Sequence, residues 1–500
     1  MYLEMFIKYM SIIKIFLYIC SNKIMTTFNN KTFITTTLPY VNSNPHIGHA
    51  FEFILGDAIA RHLRTQSDVH FNIGLDEHGL KVWSKSQELG ITPQDHIKNL
   101  TEVWLDFCKK FNINYNSFYK TSDKSHHEKS QKIWNNFLER GDIYKKSYTG
   151  KYCIGCESFK LDKELINGKC HDHPTTELQL IEEENYFFRL TKYRDSLLNW
   201  IESTPDFLQP QTKLEELKNL IINSEDISIS RLKENCPWGV SVPNDYKQVI
   251  YCWFEALWNY PFSAGYLTDN FNWDNVIQLC GPDNLRFQAL IFQSFLESEG
   301  IKKTDKLLVH GTILDKSGKK MSKTLGNVVD PFDQLDKYGL DAVRYYALAG
   351  LNTYSDSGWN ETELINLFNS DICNDWGNLI SRVLHLCDTK SVKIEIQNNP
   401  FKIEVDKRVQ EVNQLWSDFK IKEALVKTNQ IVKYANGYIN DTQPWSKNHT
   451  PEESSQILNN LHYLISEVNK LYLPVFPGLY PTIVVALNEL KKVIIFDKLI

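Results

Sequence analysis

Residues 32–39, TFITTTLP, are a β-branched run leading into a turn cluster, Tyr40-Val41-Asn42-Ser43-Asn44-Pro45. His46-Ile47-Gly48-His49 and a periodic stretch to about Leu63 follow. The pattern predicts a buried strand, a tight turn and a helix, in that order. A second apolar strand, Val69 to Leu75, ends in Asp76-Glu77-His78-Gly79. An open parallel sheet keeps its ligand site among such polar clusters at strand carboxyl ends. The helix start offers unpaired N–H groups and a positive dipole end to a phosphate. Gly48 would let the base of a nucleotide approach the backbone. Taken alone, the two histidines read equally well as capping or surface residues.

A second stretch, residues 310–330 (HGTILDKSGKKMSKTLGNVVD), has a turn at Lys316-Ser317-Gly318 and then Lys319-Lys320-Met321-Ser322-Lys323-Thr324. Glycine gives the backbone freedom, and the lysines carry compact cationic heads on long stems. That composition suits a mobile loop closing on a polyphosphate as charge develops. A solvated basic surface loop is the bland alternative.

Between these stretches, residues 82–140 read as helices, which completes the first half of a doubly wound α/β domain. Cys153-x2-Cys156 and Cys170-x2-His173 then stand thirteen residues apart, at the spacing of a closed structural zinc site. His171 competes with His173 as fourth ligand, and the x2 spacing favours His173. Val249 to Leu257 reads as a strand returning to the sheet, and Val276 to Cys280 as the next, ending in Gly281-Pro282-Asp283-Asn284. A helix follows, and Lys306 to His310 reads as the last strand. After Asp341 the pattern is all helical, with helices expected at 341–350, 361–388, 404–440 and 451–472 and no strand pattern before about 484. Asn378 and Arg382 stand at i, i+4 on one helical face, and Trp445 follows the helix-breaking Pro444. Such groups can read single-stranded RNA by stacking and base-edge hydrogen bonds, although they are ordinary in any helical domain.

Together the two signature stretches resemble the HIGH and KMSKS motifs of the class I aminoacyl-tRNA synthetases, in order and separation. Within that class the chain resembles the methionyl-tRNA synthetase family over roughly residues 31–480. The family's TxxLPYxN-x3-HxGH opening is matched by Thr35 to His49, and DEHG by residues 76–79. The zinc knuckle is matched at 153–173, DxSISR at 226–231, WF-x-A at 253–256 and KMSKS by Lys320 to Thr324. LGNVVDPF, KYG-x-DA-x-RYY, NLxSR and QPW follow.

The resemblance implies a Rossmann-type parallel sheet split by a zinc-knuckle insertion, then an all-α helical-bundle domain. The implied segments are a leader at 1–30, expected to be disordered, catalytic halves at 31–144 and 249–350, a connective insertion at 145–248 and a helical anticodon-binding domain at 351–490. Leu38, Tyr40, Asp76, Trp253, Ala256, Tyr260 and Gln288 would bind methionine, with Asp76 on its ammonium. Tyr40, His46, Gly48, His49, Gly281, Asp283, Lys320, Ser322 and Lys323 would meet ATP and its Mg2+. His46, His49, Lys320 and Lys323 would be catalytic. Asn378, Arg382 and Trp445 would read the anticodon of tRNA(Met), initiator and elongator. Cys153, Cys156, Cys170 and His173 would hold one structural Zn2+. Two departures stand out: Pro282 replaces a lysine, and Gln288 stands where the family has histidine near the thioether. Gln288 is expected to donate its amide proton to sulfur instead.

The net charge of −6 excludes bulk electrostatic attraction to nucleic acid, so any RNA contact must be local. Ten cysteines in 500 residues are no disulfide framework, which points to a reducing, cytoplasmic setting. The apolar run near the start is too short to span a membrane. Residues 1–24 are expected to be an unstructured or misassigned leader before Met25, with an organelle address as the alternative. No dimerisation module is recognised after the helices, so a monomer is expected. The alternatives are a class I relative with another amino-acid specificity and a non-catalytic tRNA-binding paralogue. The first would normally carry a longer editing insertion, and the second would be expected to lose signature histidines or lysines.

Overall fold

The structure is a computed structural model that describes residues 31–155, 158–160, 165–171, 173–321, 325–491 and 495–500. The expected leader, 1–30, lies outside the described residues. Chain contacts group Asn30–Gly56 with Val69–Thr312 in one unit, and Asp57–Asp68 with Ile313–Ile500 in a second. The lysine-rich stretch thus groups with the helical region, although the sequence pattern places it in the second catalytic half.

The first unit is built on a six-stranded sheet. Its strands are β1 (Lys31–Thr35), β2 (Asp68–Leu75), β3 (Ser117–Lys120), β4 (Leu208–Gln209), β5 (Asn275–Cys280) and β6 (Lys306–Val309), in the order β3-β2-β1-β5-β6-β4. β1 pairs β5, β5 pairs β6, β6 pairs β4 and β2 pairs β3, all in parallel. Helices cover the faces of such a sheet, so β1, β2 and β5 read as nearly continuous buried runs. The chain runs outward from β1 to β3 and later resumes at β5 on the other side of β1. That reversal is the switch point at which such sheets bind ligands.

The insertion folds as an antiparallel ribbon, Ile143–Cys153 against Gln179–Phe188, flanked by a three-stranded sheet that includes Asp245–Ile250. Here one expectation is corrected. Val249 to Leu257 is not a strand of the central sheet: its first two residues end an antiparallel strand, and Cys252–Ala256 is a short helix. The β-branched residues stop at Ile250, and an apolar run alone does not separate a buried strand from a buried helix. Phe254 anchors that helix in the core, 5.0 Å from Phe295 and 5.5 Å from Phe137 between ring centroids. Trp253, one position earlier, is left half-buried.

Among the described residues from Pro331 onward, the regular elements of the second unit are helices apart from a two-residue strand, Ser357–Gly358. The helix expected at 404–440 is two, Pro400–Ser417 and Ile421–Thr442, because Phe419 takes a left-handed backbone (φ 57°) between them. The last helix is Tyr480–Glu489. Arg344 is fully buried and lies 2.7 Å from the equally buried Asp57. It also donates to the carbonyls of Val475 and Pro474 at 3.0 and 2.8 Å. Among the described residues, no helix is long and apolar enough to cross a membrane.

Candidate active site

Four strand ends, after β1, β2, β5 and β6, supply the polar groups of the first unit's site. Beyond β1, the Thr37 N–H donates to Glu52 Oε1 at 2.6 Å, from the helix Ile47–Leu63. Beyond β6, His310 Nε2 lies 3.2 Å from Glu52 Oε2, while its Nδ1 lies 2.8 Å from the Gly311 carbonyl. Both ring nitrogens face acceptors, an arrangement that favours the protonated imidazole. Burial opposes that charge, but Glu52 outweighs it and the pKa is raised. Beyond β5, a Cβ at Gly281 would stand 2.9 Å from Asp283 Oδ1, so only glycine leaves that carboxylate its place.

His46 and His49 stack at 3.6 Å between centroids, and the Gly48 N–H points at His46 Nδ1 (3.1 Å). The open helix start expected from the sequence is therefore capped by the His46 ring. His46 occupies the position just before the first helical residue, from which a side-chain acceptor reaches the first-turn amides.

The expected amino-acid pocket draws on the ends of β1 and β2 and on two helices. Tyr40 bridges to Asp76 across the strand ends: the Val41 N–H donates to the Asp76 carbonyl at 3.0 Å, and the Asp76 N–H to the Pro39 carbonyl at 2.9 Å. Asp76 is 3% exposed, and its Oδ1 accepts the His78 N–H at 3.3 Å. The Tyr40 ring stands edge-on to Trp253 at 6.1 Å, and Trp253 stacks on Phe287 at 3.7 Å. Leu38, Ala256, Tyr260 and Gln288 are buried. The Gln288 amide donates to Tyr260 Oη at 2.8 Å, so the proton expected to reach a substrate sulfur is directed at the tyrosine. Burial pushes the Tyr260 phenol pKa far up and keeps it protonated.

Behind this pocket is a network that the sequence reading missed. Glu255, fully buried on the Trp253 helix, lies 2.7 Å from His78 Nδ1 and 2.5 Å from His126 Nε2. His78 Nε2 faces His127 Nε2 at 3.2 Å, and His126 Nδ1 faces the Tyr119 hydroxyl at 3.1 Å. Burial lowers the pKa of His78 and of His127 to about 4, and lowers that of His126. Two neutral histidines donating into one carboxylate satisfy every group. DEHG and WF-x-A were legible as motifs, but nothing in their spacing says that His78 and Glu255 meet.

In the insertion, the donor atoms of Cys153, Cys170 and His173 lie within 4.8 Å of one another. His173, not His171, belongs to the cluster, and a Cβ at Gly155 would stand 2.4 Å from its ring. Cys156 lies outside the described residues. Two thiols and an imidazole this close together are three of the four donors of a tetrahedral zinc site.

In the second unit, Asp315 organises the turn that precedes the lysines. Its carboxylate accepts the Ser317 and Lys319 N–H groups at 2.8 and 3.0 Å and the Asn327 amide at 2.7 Å. These bonds, Asn327 first, hold its pKa well below the usual range. Lys320 is exposed and bridges to Leu314 through its backbone. Ser322 and Lys323 lie outside the described residues. Farther along, the Arg382 guanidinium lies 5.7 Å from the Trp445 ring and donates to Asn440 at 3.1 Å. Trp445 is 45% exposed, and Asn378 is exposed at the start of the same helix as Arg382.

A family model described as tRNA synthetases class I (M) matches residues 32–178 and 160–384. The chain is 38% identical to the methionine–tRNA ligase of Caldanaerobacter subterraneus subsp. tengcongensis over 431 residues, 83% of this chain and 67% of that protein. It is 35% identical to the methionine–tRNA ligase of Nostoc sp. over 474 residues, 90% and 88% of the two chains. Its structure is similar to Mycobacterium tuberculosis methionyl-tRNA synthetase in complex with methionyl-adenylate, with a TM-score of 0.85 and 30% identity over 91% of this chain and 93% of that one.

Proposed function

The chain belongs to the class I tRNA synthetases for methionine, and on that premise we propose how its residues divide the work. It uses ATP to join L-methionine to tRNA. The methionine carboxylate attacks the α-phosphorus of ATP, pyrophosphate leaves, and methionyl-adenylate remains. A hydroxyl of the tRNA's terminal ribose, the 2′-OH in this class, then attacks the acyl carbon, and AMP leaves. No side-chain nucleophile is needed, so catalysis is positioning and charge stabilisation.

The reading rests on Tyr40 against both Asp76 and Trp253, on Gln288 bonded to Tyr260, and on the Asp76 charge acting on that Tyr260 phenol. Asp76 binds the α-ammonium. Leu38, Trp253, Ala256 and Tyr260 enclose the side chain, since aromatic faces suit a polarisable thioether. Tyr40 closes over the amino acid. His46, Gly48, His49, Gly281 and Asp283 receive ATP with its Mg2+, and His46 must release the Gly48 amide to do so. Lys320, Ser322 and Lys323 stabilise the departing pyrophosphate. Asn378, Arg382 and Trp445 read the anticodon of tRNA(Met).

Cys153, Cys156, Cys170 and His173 hold one structural Zn2+, which would fix the fold of the insertion. Residues 31–144 and 249–350 form the catalytic domain, 145–248 the connective insertion and 351–490 the anticodon-binding domain. Buried free thiols such as Cys108, Cys280 and Cys387 support a reducing, cytoplasmic setting, and the chain acts as a monomer. The assignment is tested with Asp76→Asn in methionine-dependent ATP–pyrophosphate exchange. The KM for methionine should rise at least about tenfold, the scale of a buried charged hydrogen bond, with the KM for ATP little changed. An unchanged methionine KM would remove Asp76 from its role.

A further inference from the structure

Gln288 is one link in a buried chain of hydrogen bonds whose direction is fixed by the backbone. The Thr304 N–H can only donate, and it meets Gln293 Oε1 at 3.0 Å. The Gln288 carbonyl can only accept, and it meets Gln293 Nε2 at 2.8 Å. The Gln293 amide therefore has one orientation. Its Nε2 also donates to Thr304 Oγ1 at 3.0 Å and faces Gln278 Oε1 at 3.5 Å, and only with the Gln278 oxygen on this side does the Thr304 hydroxyl proton have an acceptor. With its oxygen accepting, Gln278 donates through Nε2 to Gln288 Oε1 at 3.1 Å. Gln288 in turn donates through Nε2 to Tyr260 Oη at 2.8 Å. All five side chains are buried, Tyr260 to 1% exposure.

The end of this chain is determined by its beginning. A phenol that accepts from Gln288 turns its own proton away from Gln288, and among the described residues no acceptor takes it. A flipped Gln288 amide would present oxygen to Tyr260, and the phenol proton would then be consumed inside the wall. We propose that Gln278, Gln293 and Thr304 are specificity-determining positioning residues, which hold Gln288 in the orientation that makes Tyr260 a donor to the bound amino acid's side chain. This rests on the reading of Tyr260 as a wall of the methionine pocket. The selected side chain carries an acceptor at that point, the thioether sulfur. A hydrocarbon of equal length leaves a buried O–H unpaired, which is how a polar site rejects an analogue lacking its partner.

The test compares methionine with norleucine, in which CH2 replaces sulfur, in ATP–pyrophosphate exchange. Wild type, Gln278→Leu, Thr304→Val and Thr304→Ser are measured. Gln278→Leu and Thr304→Val should lower kcat/KM for methionine about tenfold, the scale of one neutral hydrogen bond, and leave norleucine within about twofold. Thr304→Ser keeps the hydroxyl and should keep the wild-type ratio. A parallel fall for both amino acids would mean a merely structural role and overturn the proposal. An unchanged ratio in the variants, or no wild-type discrimination, would overturn it while leaving the methionine pocket standing. Wild type that activates norleucine but not methionine would overturn both. Thr304→Val carries the test if Gln278→Leu fails to fold.

Discussion

His78 Nδ1 lies 2.7 Å from Glu255 Oε1, joining the turn after β2 to the short helix that carries Trp253 and Ala256. The same carboxylate takes His126 on its other oxygen. The two walls of the proposed methionine pocket, Asp76 on the turn and Trp253 on the helix, are thus tied through one buried acid.

Glu255→Gln should therefore act on both stability and substrate binding. A glutamine offers one acceptor where two imidazole N–H groups need two, and its NH2 would face a donor. Leaving a buried donor unmatched costs about 1–3 kcal/mol, so the urea-unfolding midpoint should fall and the KM for methionine rise. If both stay at wild-type values, the network holds nothing in place.

The same histidines set an acid limb of stability. With folded pKa values of about 4, below the ordinary 6.5, His78 and His127 bind fewer protons in the folded chain than in the unfolded one. His62, stacked on Trp416 at 5.2 Å, adds a third such group, also near 4. Stability is full above pH 6.5 and falls as pH drops from 6.5 towards 4. His310 has the opposite sign: its raised pKa gives a contribution present below pH 6.5 and lost as pH rises through the folded value. Urea unfolding at several pH values measures this, and a midpoint unchanged between pH 6.5 and 4.5 would contradict it.

Arg344→Met leaves the fully buried Asp57 without that partner, and Arg61, at 2.7 Å, remains its neighbour on the same helix. Removing one member of a buried pair costs about 3–5 kcal/mol, and Arg61 should bring the loss to the lower end. Thermal or urea unfolding reads it directly. A loss below about 1 kcal/mol, the scale of an exposed pair, would mean that Asp57 is not held as a buried charge.

Elemental analysis should find one zinc per chain, reduced to substoichiometric levels by Cys170→Ser. Zinc content equal to wild type in that variant would remove Cys170 from the ligand set. Its thiol lies with the donors of Cys153 and His173, none of which is assigned to methionine or ATP, so the substitution should lower zinc content more than methionine-dependent exchange.

Trp445→Ala should separate the two half-reactions. Loss of one base-stacking platform is worth about 1–3 kcal/mol, so kcat/KM for tRNA should fall roughly 5- to 150-fold. Pyrophosphate exchange without tRNA should not change. Equal effects on both would place Trp445 in the structural core of its domain, contrary to its exposure.

The parts of the fold carried by local pattern were legible in the sequence. The first half of TFITTTLP and the run to Leu75 fall in β1 and β2, although β1 stops at Thr35, and the thirteen-residue spacing between the CxxC and CxxH pairs anticipated the Cys153–Cys170–His173 cluster. Val249 to Leu257 misled because an apolar run holds no sign of where a strand gives way to a helix. His46 misled differently: its ring caps the helix start that composition left open. Gln278 shows the deeper limit. A lone glutamine in NVIQLC marks a polar residue inside a buried strand, but its role depends on the direction of hydrogen bonds to Gln288, Gln293 and Thr304, which only three dimensions supply. Glu255 and His78 likewise meet across a span that no motif spacing encodes.

The central claim is that this pocket, with Gln288 on Tyr260, activates methionine. Amino-acid-dependent ATP–pyrophosphate exchange with the purified protein, without tRNA and across the apolar amino acids, tests it most directly. The account predicts exchange driven by methionine well above leucine, isoleucine, valine and norleucine. Exchange driven best by another amino acid, or by none, would contradict it.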